Sequence, residues 1–364
     1  MARFRNLQVG DPAPWFRQRS AAQPSYTFDT AAGRYIVLAF FASAVEARTR
    51  AALAALASAG DVFDDVHASF FGVSNDPADE ARLSERYPGY RYFLDFDAVV
   101  ALLYGAKAED GDVFRRLWFV LDPALRIVRV APFDSVAAEE IVAFVRGLPP
   151  PGRHGGAEAM APVLQLANVF EPELCRQLID LYETEGGEDS GFMREVNGKT
   201  VLVTDAAHKR RRDCIVSDGK LIAALQERVR RRIVPEIAKV HQFQATRMER
   251  YLIGCYTAED GGHFRPHRDN TTKGTAHRRF AVSINLNAEF EGGELCFPEY
   301  GPRTFKPAPG AAVVFSCSLL HAVTKVTRGR RYAFLPFLYD DAAAELRERN
   351  NQFLDAGVGA YRKD

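Results

Sequence analysis

Residues 263–287 read H-F-R-P-H-R-D-N-T-T-K-G-T-A-H-R-R-F-A-V-S-I-N-L-N, and this stretch sets both the fold and the candidate chemistry. From Phe280 onward, Phe280, Val282, Ile284 and Leu286 alternate with Ala281, Ser283, Asn285 and Asn287, the period of a half-buried strand. Just upstream stand His267 and Asp269. Residues i and i+2 of a strand point the same way, so this imidazole and this carboxylate can reach one ion.

Outward from this strand the β character continues. Gly292-Gly293 marks a turn, and Ala311–Ser316 and Arg331–Leu338 read as further strands. Ahead of them, helical spacing predicts helices near Pro172–Glu183 and Lys220–Arg232. Helices first and strands after predict a double-stranded β-helix, or jelly roll, with buttressing helices. The segment Pro149–Pro162, P-P-P-G-R-H-G-G-A-E-A-M-A-P, has no apolar period and divides the chain. Before it, apolar runs at Tyr35–Ala42, Ser69–Ser74 and Leu117–Leu121 alternate with helical patterns at Ala44–Ala57, Pro77–Tyr87 and Ser135–Arg146, the last capped by Asp134 or Ser135. That order predicts an α/β layer around a central sheet. The expected organisation is a domain over residues 1–150, a linker at 151–162, a second domain over 163–342 and a tail at 343–364.

The chain has 364 residues, 47% of them apolar and 26% charged, a globular composition with length for two domains. Its longest apolar run, Tyr35–Val45, is too short to span a bilayer, so no membrane role is expected. The N-terminus lacks a secretory pattern, which predicts a cytoplasmic protein. Forty-seven basic residues balance forty-seven acidic ones, which argues against nucleic acid as the partner. Cys175, Cys214, Cys255, Cys296 and Cys317 are spread without a C-x-x-C pair, so neither a disulfide framework nor a thiolate zinc site is indicated.

His321 follows the apolar strand Ala311–Ser316 and reads as a loop residue able to supply a third ligand. Two histidines and one carboxylate form the facial triad that suits Fe(II) and leaves positions open for substrate and dioxygen. Arg331, at the start of the next strand, offers a planar guanidinium that can hold a carboxylate bidentately. The blander reading makes His267 and His321 hydrogen-bonded core histidines and Asp269 a turn residue.

With H-F-R-P-H-R-D at His263–Asp269, G-G-E-L at Gly292–Leu295, P-G-A-A-V-V-F at Pro309–Phe315 and H-A-V-T-K-V-T-R-G-R-R at His321–Arg331, residues 162–339 resemble the Fe(II)/2-oxoglutarate dioxygenases of the prolyl 4-hydroxylase-like branch. The resemblance implies that His267, Asp269 and His321 ligate Fe(II), that Arg331 binds the distal carboxylate of 2-oxoglutarate, and that Tyr256 assists the co-substrate. Arg330 is the alternative anchor, and a slip of one residue puts it on the opposite strand face. The implied reaction consumes 2-oxoglutarate and O2, hydroxylates an aliphatic C–H and releases succinate and CO2. Its substrate is unidentified: a peptidyl residue such as proline, or a small molecule.

The first domain carries V-G-D-P-A-P-W-F at Val9–Phe16, F-F-G-V-S-N-D-P at Phe70–Pro77 and L-W-F-V-L-D-P at Leu117–Pro123, and resembles the peroxiredoxin and thioredoxin-like superfamily. Enzymes of that fold work through a thiolate. Here no cysteine precedes Cys175, and Val45 and Arg48 stand where the thiols would be. The implied domain is redox-inactive, a scaffold that docks a partner, contributes to a homodimer or covers the second domain.

Several polar groups have competing readings. His263 and His277 read as gate or surface residues flanking the site, and Arg278-Arg279 as a solvated strand end. The runs His208–Asp213 and Arg228–Arg232 read as solvated basic faces, because no aromatics interleave them. Asn270–His277 reads as a loop over the active site. The rivals to hydroxylation are a protein-binding module or 2-oxoglutarate sensor in which the redoxin-like domain recognises a partner, and a metal-dependent cupin of another reaction type. Arg331 at its offset discriminates against the cupin.

Overall fold

The apolar run Tyr35–Ala42 (β1) is buried over nearly its whole length and forms the centre of the first of two units in the computed structural model, which describes residues 2–362. The first unit runs to Ala161 and includes Pro298–Pro302, and the second comprises Pro162–Phe297 and the chain from Arg303 onward. In the first unit, β1 is followed by helix α1 (Ala47–Ala57), then strands β2 (Ala68–Ser74), β3 (Tyr90–Leu94), β4 (Leu117–Leu121) and β5 (Ile127–Pro132), then helix α2 (Ala138–Arg146). The five strands lie in the order β3-β2-β1-β4-β5. The β1–β2 and β2–β3 pairs are parallel, whereas β1–β4 and β4–β5 are antiparallel. Their aromatic and β-branched residues suit strands covered on both faces. On one face Phe41, Trp118 and Phe133 pack with Ile141 and Val145 of α2.

Two local expectations fail in this unit. The helix expected over Pro77–Tyr87 is only a 3-10 turn at Pro77–Ala81. Here tertiary hydrogen bonds override helical spacing: the buried Asp79 carboxylate accepts from the Ala44 N–H and the Ser74 hydroxyl, each at 2.7 Å. The cap of α2 is Ala137, whose N–H donates to the Glu140 carboxylate at 3.3 Å, so neither Asp134 nor Ser135 is needed.

In the second unit, helices α3 (Pro172–Glu185), α4 (Gly219–Arg232) and α5 (Val234–His241) cover one face of a ten-stranded sheet. Leu178, Leu225 and Ile237 meet Ile253, Val282, Ile284 and Phe334 in one core. Each such fully buried side chain contributes about 1.5–3 kcal/mol. The strands that build the site are β6 (Lys209–Arg210), β7 (Arg212–Ile215), β8 (Leu252–Thr257), β9 (His263–His267), β10 (Phe280–Asn285), β11 (Ala312–Ser316), β12 (His321–Val323), β13 (Val326–Phe334) and β14 (Phe337–Tyr339). Neighbours β14-β10-β13-β8-β7 belong to the larger sheet, and β6-β9-β12 to a smaller, five-stranded one. Two opposed antiparallel sheets make the jelly roll.

The strand expected over Arg331–Leu338 is divided between β13 and β14, because Pro336 has no N–H to continue the ladder. After β14 comes α6 (Asp341–Arg349), whose N-cap Asp340 accepts from the Ala343 N–H at 2.9 Å, while Ala343 and Ala344 pack with Tyr339. Among the described residues no helix is long and apolar enough to cross a membrane.

Candidate active site

The alternation in β10 does more than present one wet and one dry face. Phe280, Val282 and Ile284 enter the core shared with the helices, while Ser283 and Asn285 are buried on the other face, 5% and 1% exposed. That other face is the interior of the jelly roll, so its polar groups serve a site and not solvent.

Across the interior, β9 and β12 pair antiparallel with His267 opposite His321. His321 thus opens a strand, contrary to the loop expected, and the pairing brings the two imidazole centroids to 4.2 Å. Asp269 is held by its N–H donating to the Cys317 carbonyl at 3.0 Å. Its carboxylate oxygens lie 3.6 Å from His267 Nε2 and 3.3 Å from His321 Nε2. One donor atom from each residue lies within 4.8 Å of the others, close enough to share one ion. His267 Nδ1–H donates to the Arg265 carbonyl at 2.8 Å and His321 Nδ1–H to the Leu319 carbonyl at 3.0 Å. These bonds fix both tautomers with the Nε2 lone pairs toward the carboxylate. Burial, reinforced by His321, keeps the His267 pKa well below the usual imidazole range, in the neutral form a metal requires. Phe264 stacks on His267 at 3.5 Å and Phe315 meets His321 edge-on at 4.6 Å. Two imidazole nitrogens and a carboxylate oxygen fit a first-row divalent ion such as Fe(II).

Arg331 and Tyr256 line the same cavity of about 60 Å³ as the three donors. They are cross-strand partners in β13 and β8, with the guanidinium carbon 5.5 Å from the ring centroid. Ser283 and Asn285 accept from Arg331 Nη2 and Nε at 2.8 and 3.1 Å. Arg331 Nη1 is buried with no hydrogen-bond partner. A guanidinium 2% exposed with one nitrogen unsatisfied is costly unless a ligand completes it. Burial lowers its pKa from the ordinary value, and the nearby Arg211 adds to that. Arg330, on the opposite face of β13, keeps 48% of its side chain exposed, 3.6 Å from Glu183. The two arginines therefore have different surroundings, as the strand period requires.

Other expectations fare differently. His277 is no gate or surface residue: it is 1% exposed, 3.1 Å from Glu249, whose carboxylate also takes Arg278 and Arg347 at 2.7 Å each. Arg278 is accordingly no solvated strand end, since Glu249 and the Phe337 ring hold it inward. His263 is partly exposed, bonded to the Gly261 carbonyl at 2.8 Å. Asn270–His277 contains a 3-10 turn at Lys273–Thr275 with Thr272 and Thr275 buried. The basic run at 208–213 is not a solvated face either, for Lys209 and Arg211 are 4% and 8% exposed. Arg211 lies at the switch between the sheets and grips Asp213 with Nε and Nη2 at 2.6 and 2.8 Å. Its Nη1 is 3.4 Å from the Tyr256 hydroxyl. Ser283, Asn285, Arg211 and Arg250 were missed as site residues. For Ser283 and Asn285 the signal was present as polar residues at i and i+2 on a strand whose other face is apolar, whereas Arg211 and Arg250 lie just outside strands and show no such period.

Comparison with known proteins agrees with this division. Residues 246–339 match the 2OG-Fe(II) oxygenase superfamily and residues 9–130 the AhpC/TSA family. A PKHD-type hydroxylase from Cupriavidus metallidurans is 30% identical over 186 residues, covering 47% of this chain and 75% of that protein. Another from Stutzerimonas stutzeri is 26% identical over 180 residues, with the same coverage of 47% and 75%. A Pseudomonas putida prolyl-4-hydroxylase structure aligns at 18% identity and a TM-score of 0.38, covering 50% of this chain and 94% of that one. The chain therefore belongs to the 2OG-Fe(II) oxygenase superfamily as a relative of the PKHD-type hydroxylases, and joins this oxygenase domain to an AhpC/TSA-type domain.

Proposed function

We propose that His267, Asp269 and His321 hold Fe(II), that Arg331 anchors the distal carboxylate of 2-oxoglutarate, and that Tyr256 packs beside it. The family is one of 2-oxoglutarate-dependent hydroxylases, and on this reading these are the residues that serve its reaction. The observation behind the reading is the buried, unsatisfied Arg331 Nη1 in one cavity with the three donor atoms. When bound, the metal and the keto acid activate O2, with decarboxylation to succinate and hydroxylation of an aliphatic C–H as the outcome.

The protein's own part is positioning and exclusion of water. The Arg265 and Leu319 carbonyls hold both imidazoles in the ligating tautomer. Ser283 and Asn285 fix the plane of the Arg331 guanidinium, so a carboxylate meets a fork already oriented. Phe264, Leu295, Phe315 and Val323 line the cavity with apolar surface and strengthen the charge pairing inside it.

Calorimetry of 2-oxoglutarate into the full-length protein loaded with Mn(II) tests the reading. Saturable one-to-one binding, with succinate released when Fe(II) and O2 replace Mn(II), is expected. Absence of 2-oxoglutarate binding overturns it.

A further inference from the structure

Arg250 is a third guanidinium in the cavity, beside Arg331 and Arg211. It follows the short strand Arg247–Glu249 with φ +66°, the left-handed region that an arginine rarely adopts. Its side chain keeps 29% accessibility. Among the described residues its guanidinium makes a single hydrogen bond, Nη2 to Asp213 Oδ2 at 3.4 Å. That carboxylate is already committed: Arg211 grips both of its oxygens, and the Ser190 hydroxyl donates to Oδ2 as well. Burial and the like charges of Arg211 and Arg278 pull the Arg250 pKa down to about 10, still a cation at neutral pH.

Charge pairing shows what the cavity lacks. Arg211 is matched by Asp213. On the reading above, a divalent ion, the doubly charged 2-oxoglutarate, Asp269 and Arg331 together sum to zero. Arg250 is what remains, a cation on the cavity wall with donors to spare, held there by a strained backbone. Positive charge turned toward a site and left over after the co-substrate selects for an anion on the other reactant.

We propose that Arg250 is a specificity-determining residue and that the molecule hydroxylated here carries a carboxylate which pairs with it. The proposal rests on the assignment of this cavity to iron and 2-oxoglutarate. The carboxylate comes either from a free acid or from an acidic side chain of a peptide, and both present the same planar group to the guanidinium.

The test uses the full-length protein with Mn(II) and saturating 2-oxoglutarate, and two matched probe pairs: N-acetyl-L-proline against N-acetyl-L-prolinamide, and capped Ala-Glu-Ala against capped Ala-Gln-Ala. Calorimetry reads binding, and succinate release with Fe(II) reads stimulation. In at least one pair the acid binds about tenfold or more tightly than its amide. Arg250→Gly, which suits the positive φ, reduces that preference to near one, and Arg250→Lys retains part of it. Preference in the first pair alone identifies a free acid, and in the second alone a peptide. Equal binding of acid and amide in both pairs overturns the proposal, as does a preference that survives Arg250→Gly. It is also overturned if Arg250→Gly weakens 2-oxoglutarate itself as much as the acid probe. Failure of 2-oxoglutarate to bind the unaltered protein, measured first, is a different result and removes the underlying reading.

Discussion

In the first unit β1 delivers the chain to Val45 and Arg48; in the second, β9 and β12 deliver His267, Asp269 and His321 to one point. Both are strand-end constructions on well-packed sheets, yet the second gathers two imidazoles, a carboxylate and a buried guanidinium where the first has a valine and an arginine. Around the first, Arg48 Nε donates to the Phe133 carbonyl at 3.2 Å and Arg116 pairs with Glu46 and Asp134, and the buried atom left without a partner there is the neutral Thr49 hydroxyl. Around the second, Arg331 Nη1 is buried without a partner and the imidazole Nε2 atoms converge on a carboxylate. Packing of Trp118, Phe133 and Phe41 keeps the first fold without any thiol, because apolar burial and not the site holds the sheet together. An active-site fold and its active-site groups are thus separable, and on the function proposed above the second unit keeps both.

Asp269→Ala is the most severe way to break that contrast. Removing a metal donor should weaken Mn(II) binding by more than about a hundredfold, beyond the effect usual for outer partners, and bring succinate release to background. Titration of Mn(II) followed by water proton relaxation checks it, and near-native metal affinity would remove Asp269 from the ligand set. Unfolding of the first unit is expected to be unaltered in the same variant. Both tryptophans, Trp15 and Trp118, lie in the first unit, so their emission reports it.

The next effect separates two neighbouring residues. Arg331→Met deletes the buried fork and should cost about 1.5–3 kcal/mol in 2-oxoglutarate binding, roughly 10- to 150-fold in affinity. Arg330→Met, on the outward face beside Glu183, should change it less than about twofold, since exposed ion pairs contribute little. Calorimetry on the two variants decides, and a larger loss in Arg330→Met would reverse the assignment.

The parts of the molecule legible in the sequence were those governed by local period and ligand spacing. The alternation at Phe280–Leu286 identified a strand, and His267-x-Asp269 with His321 identified residues that the fold brings within 4.8 Å. What escaped depended on the second sheet. Arg211 and Lys209 sit in a run of five consecutive basic residues from 208 to 212 that reads as a wet surface, but at this point the chain passes from one sheet to the other and turns them inward. The other basic run, at the end of α4, is much as it reads, with Arg230 and Arg231 exposed and Arg228 and Arg232 on Glu171. Composition cannot tell these two runs apart. Asp213, placed two residues from Arg211 on the strand, is the feature that could have.

The smallest effect sharpens the comparison through pH. His208 in the second unit lies tilted against the Phe192 ring at 4.5 Å, and burial, with Arg194 adding repulsion, pushes its pKa down to about 4. The unfolded chain binds that proton near pH 6.5, so the stability tied to neutral His208 is complete above that value and is lost as pH falls toward 4. In the first unit burial opposes ionisation of Asp65, but hydrogen bonds from Arg91 and Ser69 outweigh it and hold the carboxyl at about 2. Its contribution is complete above the ordinary value of 3.8 and disappears only as pH falls to about 2. Each contribution is on the order of 1 kcal/mol, given partial exposure. His208→Gln should therefore reduce acid sensitivity between pH 6.5 and 4 in far-UV circular dichroism while leaving tryptophan emission unchanged. Asp65→Asn should alter tryptophan emission below pH 4 and leave the higher window as it was. If His208→Gln instead shifts the tryptophan signal, the two units unfold as one, and their contrast in chemistry has no counterpart in stability.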